Sequence, residues 1–166
     1  MAGEVSSASR TTELAAGDYK VAFRPGTWTP FAPKSSSYYE VSMIPKGDEP
    51  AAAISVESEL SRGIFKEAPG AEPSKQIRAF VSGSGDTLLI EEVLPVAAQP
   101  RSNWILVKRH DGDLSHEYLL PPQRQVKASD GKNDIPRVTS VSDSEVSFHY
   151  SDGRKITTKV KDLVKK

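Results

Sequence analysis

Short runs of alternating apolar and polar residues, each cut off by proline, glycine or Asp-Gly at intervals of roughly 8–15 residues, constrain this chain most. Tyr19–Phe23 (YKVAF) carries the period of a half-buried strand, Tyr38–Ile44 (YYEVSMI) reads as a second strand, and Gln76–Val81 (QIRAFV) and Thr87–Val93 (TLLIEEV) are apolar runs joined by a short Gly-rich segment, a hairpin signal. RVTSV, EVSFHY and RKITTKV close the chain in the same pattern, separated by SDSE and SDGR. The 12 prolines punctuate these runs rather than forming a tract, and proline withholds the donor that helix and ladder both need. No segment sustains a 3.6-residue period, and no strand–helix rhythm suggests a doubly wound sheet. The pattern predicts an all-β fold: a single-domain antiparallel β-sandwich or partly open barrel of about nine or ten short strands, with little helix.

Residues 1–17 are small, polar and aperiodic and read as a mobile tail, with at most a helical turn near Thr12–Ala16. Residues 18–166 then form one β domain, with a weak sub-boundary near 125–134, because the piece beyond it is too small to bury a core alone. Ala51–Glu57 (AAAISVE) fits strand or helix; Ile54 and Val56 at spacing two favour strand. Trp104–Val107 (WILV) is continuously apolar, the mark of a strand covered on both faces. The segment 124–134, charged and glycine-containing, reads as a second mobile stretch.

The last hairpin permits a register argument. A two-residue Asp152–Gly153 loop would set Phe148 against Thr157 and scramble the faces. A three-residue loop over Ser151–Gly153, with Gly153 left-handed, pairs Phe148 with Ile156 and Val146 with Thr158. Val146, Phe148 and Tyr150 then point inward, and Ser147 and His149 outward.

With no cysteine, the chain has no disulfide, thiolate-ligated metal or cysteine nucleophile. Its 22 basic and 22 acidic residues cancel, so nothing marks a nucleic-acid-binding surface, and no apolar run is long enough for a transmembrane helix. The N-terminus lacks the apolar stretch of a signal peptide, which leaves a cytoplasmic protein or one whose leader has been removed.

Five features could carry chemistry. HDGDLSH gathers His110, Asp111, Asp113 and His116, residue types that ligate zinc or a hard cation. A two- or four-residue hairpin loop would point its histidines to opposite faces, and Asp-Gly turns are ordinarily just turns. Ser82–Asp86 (SGSGD) leads into a strand without a GK[ST], so it reads as a hairpin turn rather than a phosphate cradle. Glu91 and Glu92 are consecutive on a strand and point apart, a poor arrangement for a general acid/base pair. The lysines of the C-terminal segment, such as Lys155 and Lys159, suit a solvated edge that discourages aggregation. Trp28 and Phe31, with Tyr38 and Tyr39 beyond them, would anchor a partner if exposed, since aromatics dominate binding hot spots.

The functional expectation is a non-catalytic β module that recognises a protein or other macromolecular partner through an exposed loop end or strand edge, with no cofactor. The competing reading is a metal-binding or metal-assisted hydrolase domain centred on His110, Asp113 and His116. A third, a lipocalin-like barrel, would need a cavity lined by residues such as Ile90, Ile105 and Tyr118.

Overall fold

The computed structural model describes residues 12–24, 38–44, 51–58, 77–94, 101–122, 124–125 and 133–165. The protein is all-β. A first sheet is a meander of β1 (Thr12–Ala16), β2 (Tyr19–Arg24), β3 (Tyr38–Met43) and β4 (Ala53–Glu57). A second meander joins β5 (Ile77–Val81), β6 (Thr87–Leu94), β7 (Arg101–His110) and β8 (Asp113–Leu120). The two-residue β9 (Arg124–Gln125) pairs with β10 (Asn133–Asp134). A third meander comprises β11 (Arg137–Val141), β12 (Glu145–His149) and β13 (Lys155–Lys159). A 3-10 turn at Val160–Asp162 then returns the chain to β14 (Val164–Lys165), which pairs with β8 as the fifth strand of the second sheet.

Every pairing is antiparallel, and no sheet closes into a barrel among the described residues. The elements outnumber those expected from sequence. Thr12–Ala16, expected within the tail, is a strand: it pairs along its length with β2 and turns Leu14 and Ala16 toward the core. Its weak signal reflects its small residues. Arg124–Gln125 and Asn133–Asp134, inside the second expected mobile stretch, form a short ladder.

The five-stranded sheet is the middle of three layers. Leu88, Ile90, Ile105 and Val107 lie on the face that meets the first sheet, packed with Tyr19, Val21, Phe23, Tyr39, Val41 and Val56. Leu89, Trp104, Leu106 and Leu119 alternate with them and meet Val138, Val146, Phe148 and Leu163 beneath the third meander. A strand covered on both faces has no polar face to offer, which is why WILV is continuously apolar. The Trp104 and Phe148 rings sit 5.5 Å apart in a tilted pair at the centre of the second cluster.

Ile90 and Ile105, the residues expected to line a lipocalin-like cavity, are wholly buried in this packing. Across the two larger sheets β1 lies against β5 and β4 against β8. That neighbourhood is a sandwich; in an up-and-down barrel β1 would meet β8.

The C-terminal hairpin adopts the expected register, with Phe148 opposite Ile156 and Val146 opposite Thr158. Gly153 has φ 84°, and its N–H donates to the Tyr150 carbonyl across a three-residue loop. Val146, Phe148 and Tyr150 are buried, while Ser147 and His149 lie on the outer face.

Candidate functional site

Glu91 and Glu92 are the two fully buried carboxyl groups of the central sheet. Being consecutive on β6, they enter opposite layers, as the sequence implied. Glu91 faces the third meander. Arg78, its cross-strand neighbour on β5, reaches Glu91 Oε1 through Nε at 2.7 Å and Nη2 at 2.6 Å. Arg137 Nε approaches the same oxygen at 3.4 Å, and the Val138 N–H donates to Oε2 at 2.7 Å. Arg78 Nη2 also donates to the Val138 carbonyl at 3.1 Å. This clamp ties β11 to the central sheet. The pairing matters because a buried charge with one partner removed costs several kcal/mol.

Glu92 faces the first sheet and is held differently. Tyr39 Oη donates to Oε2 at 2.5 Å, Ser58 Oγ donates to the same atom, and Asn103 Nδ2 donates to Oε1 at 2.9 Å. Burial, reinforced by the Glu92 carboxyl group, holds the Tyr39 phenol well above its usual range. Tyr39 thus sits in the core as a structural donor, not on the surface as a partner contact. Its ring packs on Phe23 at 5.3 Å.

Asp143, in the β11–β12 turn, makes a second tie between the third meander and the central sheet. It accepts from Ser84 Oγ and Thr87 Oγ1, each at 2.8 Å, and its backbone carbonyl accepts from Lys108 Nζ at 2.5 Å. The hydroxyl donors, Ser84 first and Thr87 second, pull its carboxyl group below the ordinary aspartate value. SGSGD therefore works as a hairpin turn whose hydroxyls receive this carboxylate. Its local composition announces a turn but gives no hint of a partner 59 residues on.

The two ends of the sandwich differ. At one end the strands are joined by Gly17–Asp18, Ser82–Asp86 and Asp111–Gly112, with segment 44–52. At the other, β2 ends at Arg24, β3 begins at Tyr38, β4 ends at Glu57, β5 begins at Ile77, and the β6–β7 connection leaves from Leu94 to Arg101. The strand ends that bound connections 25–37, 59–76 and 95–100 all lie at that second end. The polar group of Glu92, Tyr39, Ser58 and Asn103 lies just beneath it.

The remaining sequence candidates fall as follows. Trp28 and Phe31 lie outside the described residues. Tyr38 is 36% exposed on the outer face, at the start of β3. Asp111 (φ 50°) and Gly112 (φ 81°) form a two-residue turn that pairs His110 with Asp113 and Val107 with His116. The histidines consequently project from opposite faces of the hairpin. Among the described residues His110 pairs with the neighbouring Asp111 (3.2 Å), and His116 stands edge-on to Tyr118. Among the described residues no three His, Asp or Glu side chains gather where they could hold a metal ion. No described helix is long and apolar enough to cross a membrane.

Sequence reasoning gave the divergence of Glu91 and Glu92 but not their partners. Arg137 and Tyr39 are 46 and 53 residues away from them, and no local pattern announces such contacts.

Fold and site together define a three-layer antiparallel β protein whose buried carboxyl groups join its layers. Comparison with protein-family models, with curated proteins and with solved structures finds no match to this chain.

Proposed function

We propose that this protein is a non-catalytic β module that binds a protein partner through the end of the sandwich bearing connections 25–37, 59–76 and 95–100. The observation that carries this reading is that the strand ends bounding the two longest connections, 25–37 and 59–76, lie at the same end. A rigid scaffold presenting long connections on one side is the usual geometry of a recognition surface. Trp28 and Phe31 belong to the first of these connections, and Tyr38 follows it on the exposed face. The polar side chains beneath are engaged with one another in tying layers together, which supports a scaffolding role for them rather than a reactive one.

The test compares three immobilised proteins of equal thermal midpoint: the natural chain, Trp28→Ala/Phe31→Ala, and Lys155→Ala/Lys159→Ala. A partner retained by the first and third but lost by the second, then reproduced with the purified partner by calorimetry, supports the loop end. Equal retention by all three would discard it.

A further inference from the structure

We propose that the outer edge of β4, which pairs with no other strand among the described residues, accepts one extended peptide segment, which adds to the first sheet as a fifth strand. The central sheet has five strands and the sheet above it four. Since β4 lies against β8, β14 extends beyond the cover as a shelf one strand wide. The residues on this shelf are exposed although they continue the buried face: Val164 is 63% and Leu120 44% exposed, paired directly opposite each other. His116 and Tyr118 continue the strip along β8, with half-buried Leu114 and Ile54 at its far end. The opposite seam has no such shelf. There Ile77 is buried, and Gly17 meets Val81 so closely that an added Cβ would stand 3.0 Å from its Cγ1.

The backbone of β4 is set to receive a strand. The Met43 N–H donates to the Ala52 carbonyl, and alternation then turns the polar groups of Ala52, Ile54 and Val56 toward β3. Those of Ala53, Ser55 and Glu57 face the outer edge, where the Tyr118 hydroxyl already donates to the Glu57 carbonyl at 2.8 Å. Three of the other edges carry protection that β4 lacks. A bulge interrupts β11, lysines flank β13, and β14 is two residues long. Ala53–Glu57 has no lysine, proline or bulge.

The occupant is a lone strand, not a second copy of this chain. Antiparallel pairing of β4 with its equivalent would drive the copy's β8 into the position held by β14. The chemistry of the segment follows from what it would touch. Alternate side chains pointing inward would cover Leu120 and Val164, so they are apolar. The outward ones lie beside Ser55 and Glu57, and the Glu57 side chain is exposed with no ion pair among the described residues, so a lysine or arginine is favoured there. Strand addition of this kind draws affinity from main-chain hydrogen bonds and specificity from alternate side chains. The inference deepens the partner-binding reading and rests on it, but not on the loop end.

The probe is a capped, fluorescein-labelled heptapeptide in which valine alternates with threonine and lysine, titrated against the full chain by polarisation. Saturable binding is expected, weakened at least tenfold by Ser55→Pro, which deletes an edge N–H without touching the β3 ladder. Leu120→Ser should weaken it as well, and Glu57→Gln should reduce its salt dependence. Thermal midpoints of the variants certify folding, and Ser55→Lys, which guards the edge without proline, gives a second route to the same loss. No binding at millimolar protein, or equal binding by a backbone N-methylated peptide or by Ser55→Pro, would overturn the edge site. Because the probe is a defined peptide, such failure leaves the retention experiment on Trp28 and Phe31 to judge the loop end separately.

Discussion

Tyr19 is a buried phenol whose hydroxyl has no hydrogen-bond partner, and burial, followed by the nearby Asp86, pushes its pKa up to about 12. An unfolded tyrosine ionises near pH 10. The folded state therefore holds this proton more tightly, and the resulting stability is complete below about pH 10 and lost as pH rises toward 12. The thermal midpoint of the natural protein should fall steeply across that window, and Tyr19→Phe should flatten the fall. An unchanged slope in the variant would mean that Tyr19 is not the group responsible. Glu91 gives the second residue-scale expectation. Glu91→Ala leaves the buried Val138 N–H unpaired and releases Arg78, whose side chain is 39% exposed, to water, and should cost about 1–3 kcal/mol in chemical denaturation. Arg137→Ala, which removes only a 3.4 Å contact from a partly exposed side chain, should cost far less.

Elements formed by neighbours in sequence were legible; those formed by distant segments were not. The β12–β13 register followed from a period of two, one glycine and the need to keep Phe148 inside. Gly153→Ala tests this directly: at φ 84° an L side chain costs about 1–2 kcal/mol, while the open space around the position adds no clash. Urea unfolding should show that loss, and none would refute the loop geometry. β1 escaped the reading because its small residues carry little hydrophobic signal, and β14 because two residues have no period at all. The turn at Asp143 is a further case. Its hydroxyl donors come from the β5–β6 turn and the start of β6, contacts that composition cannot announce. Since the folded carboxyl group titrates below the unfolded value near 3.9, its contribution is present above that pH and disappears as pH falls through the lower folded value. Asp143→Asn should remove that part of the acid sensitivity.

Across the whole molecule the central sheet depends on both of its covers, and this is the strongest test of the three-layer arrangement. Leu89, Trp104, Leu106 and Leu119 form an apolar face that, among the described residues, the third meander and the residues after it conceal. A sandwich of the first two sheets alone would leave that face in water, together with the Glu91 carboxyl group deprived of Arg137 and the Val138 N–H. Truncation after residue 136 should accordingly yield an insoluble or dye-binding species rather than a smaller folded domain, since exposed apolar faces of this kind promote association. A point substitution reaches the same interface more gently. Phe148→Ala removes the ring packed against Trp104 and should cost about 3–5 kcal/mol, with Trp104 emission in a Trp28→Phe background moving to longer wavelength as water enters. Were the truncated chain monomeric, cooperative in unfolding and free of dye, the third layer would be an appendage, and Glu91 would have to be satisfied from within the central sheet.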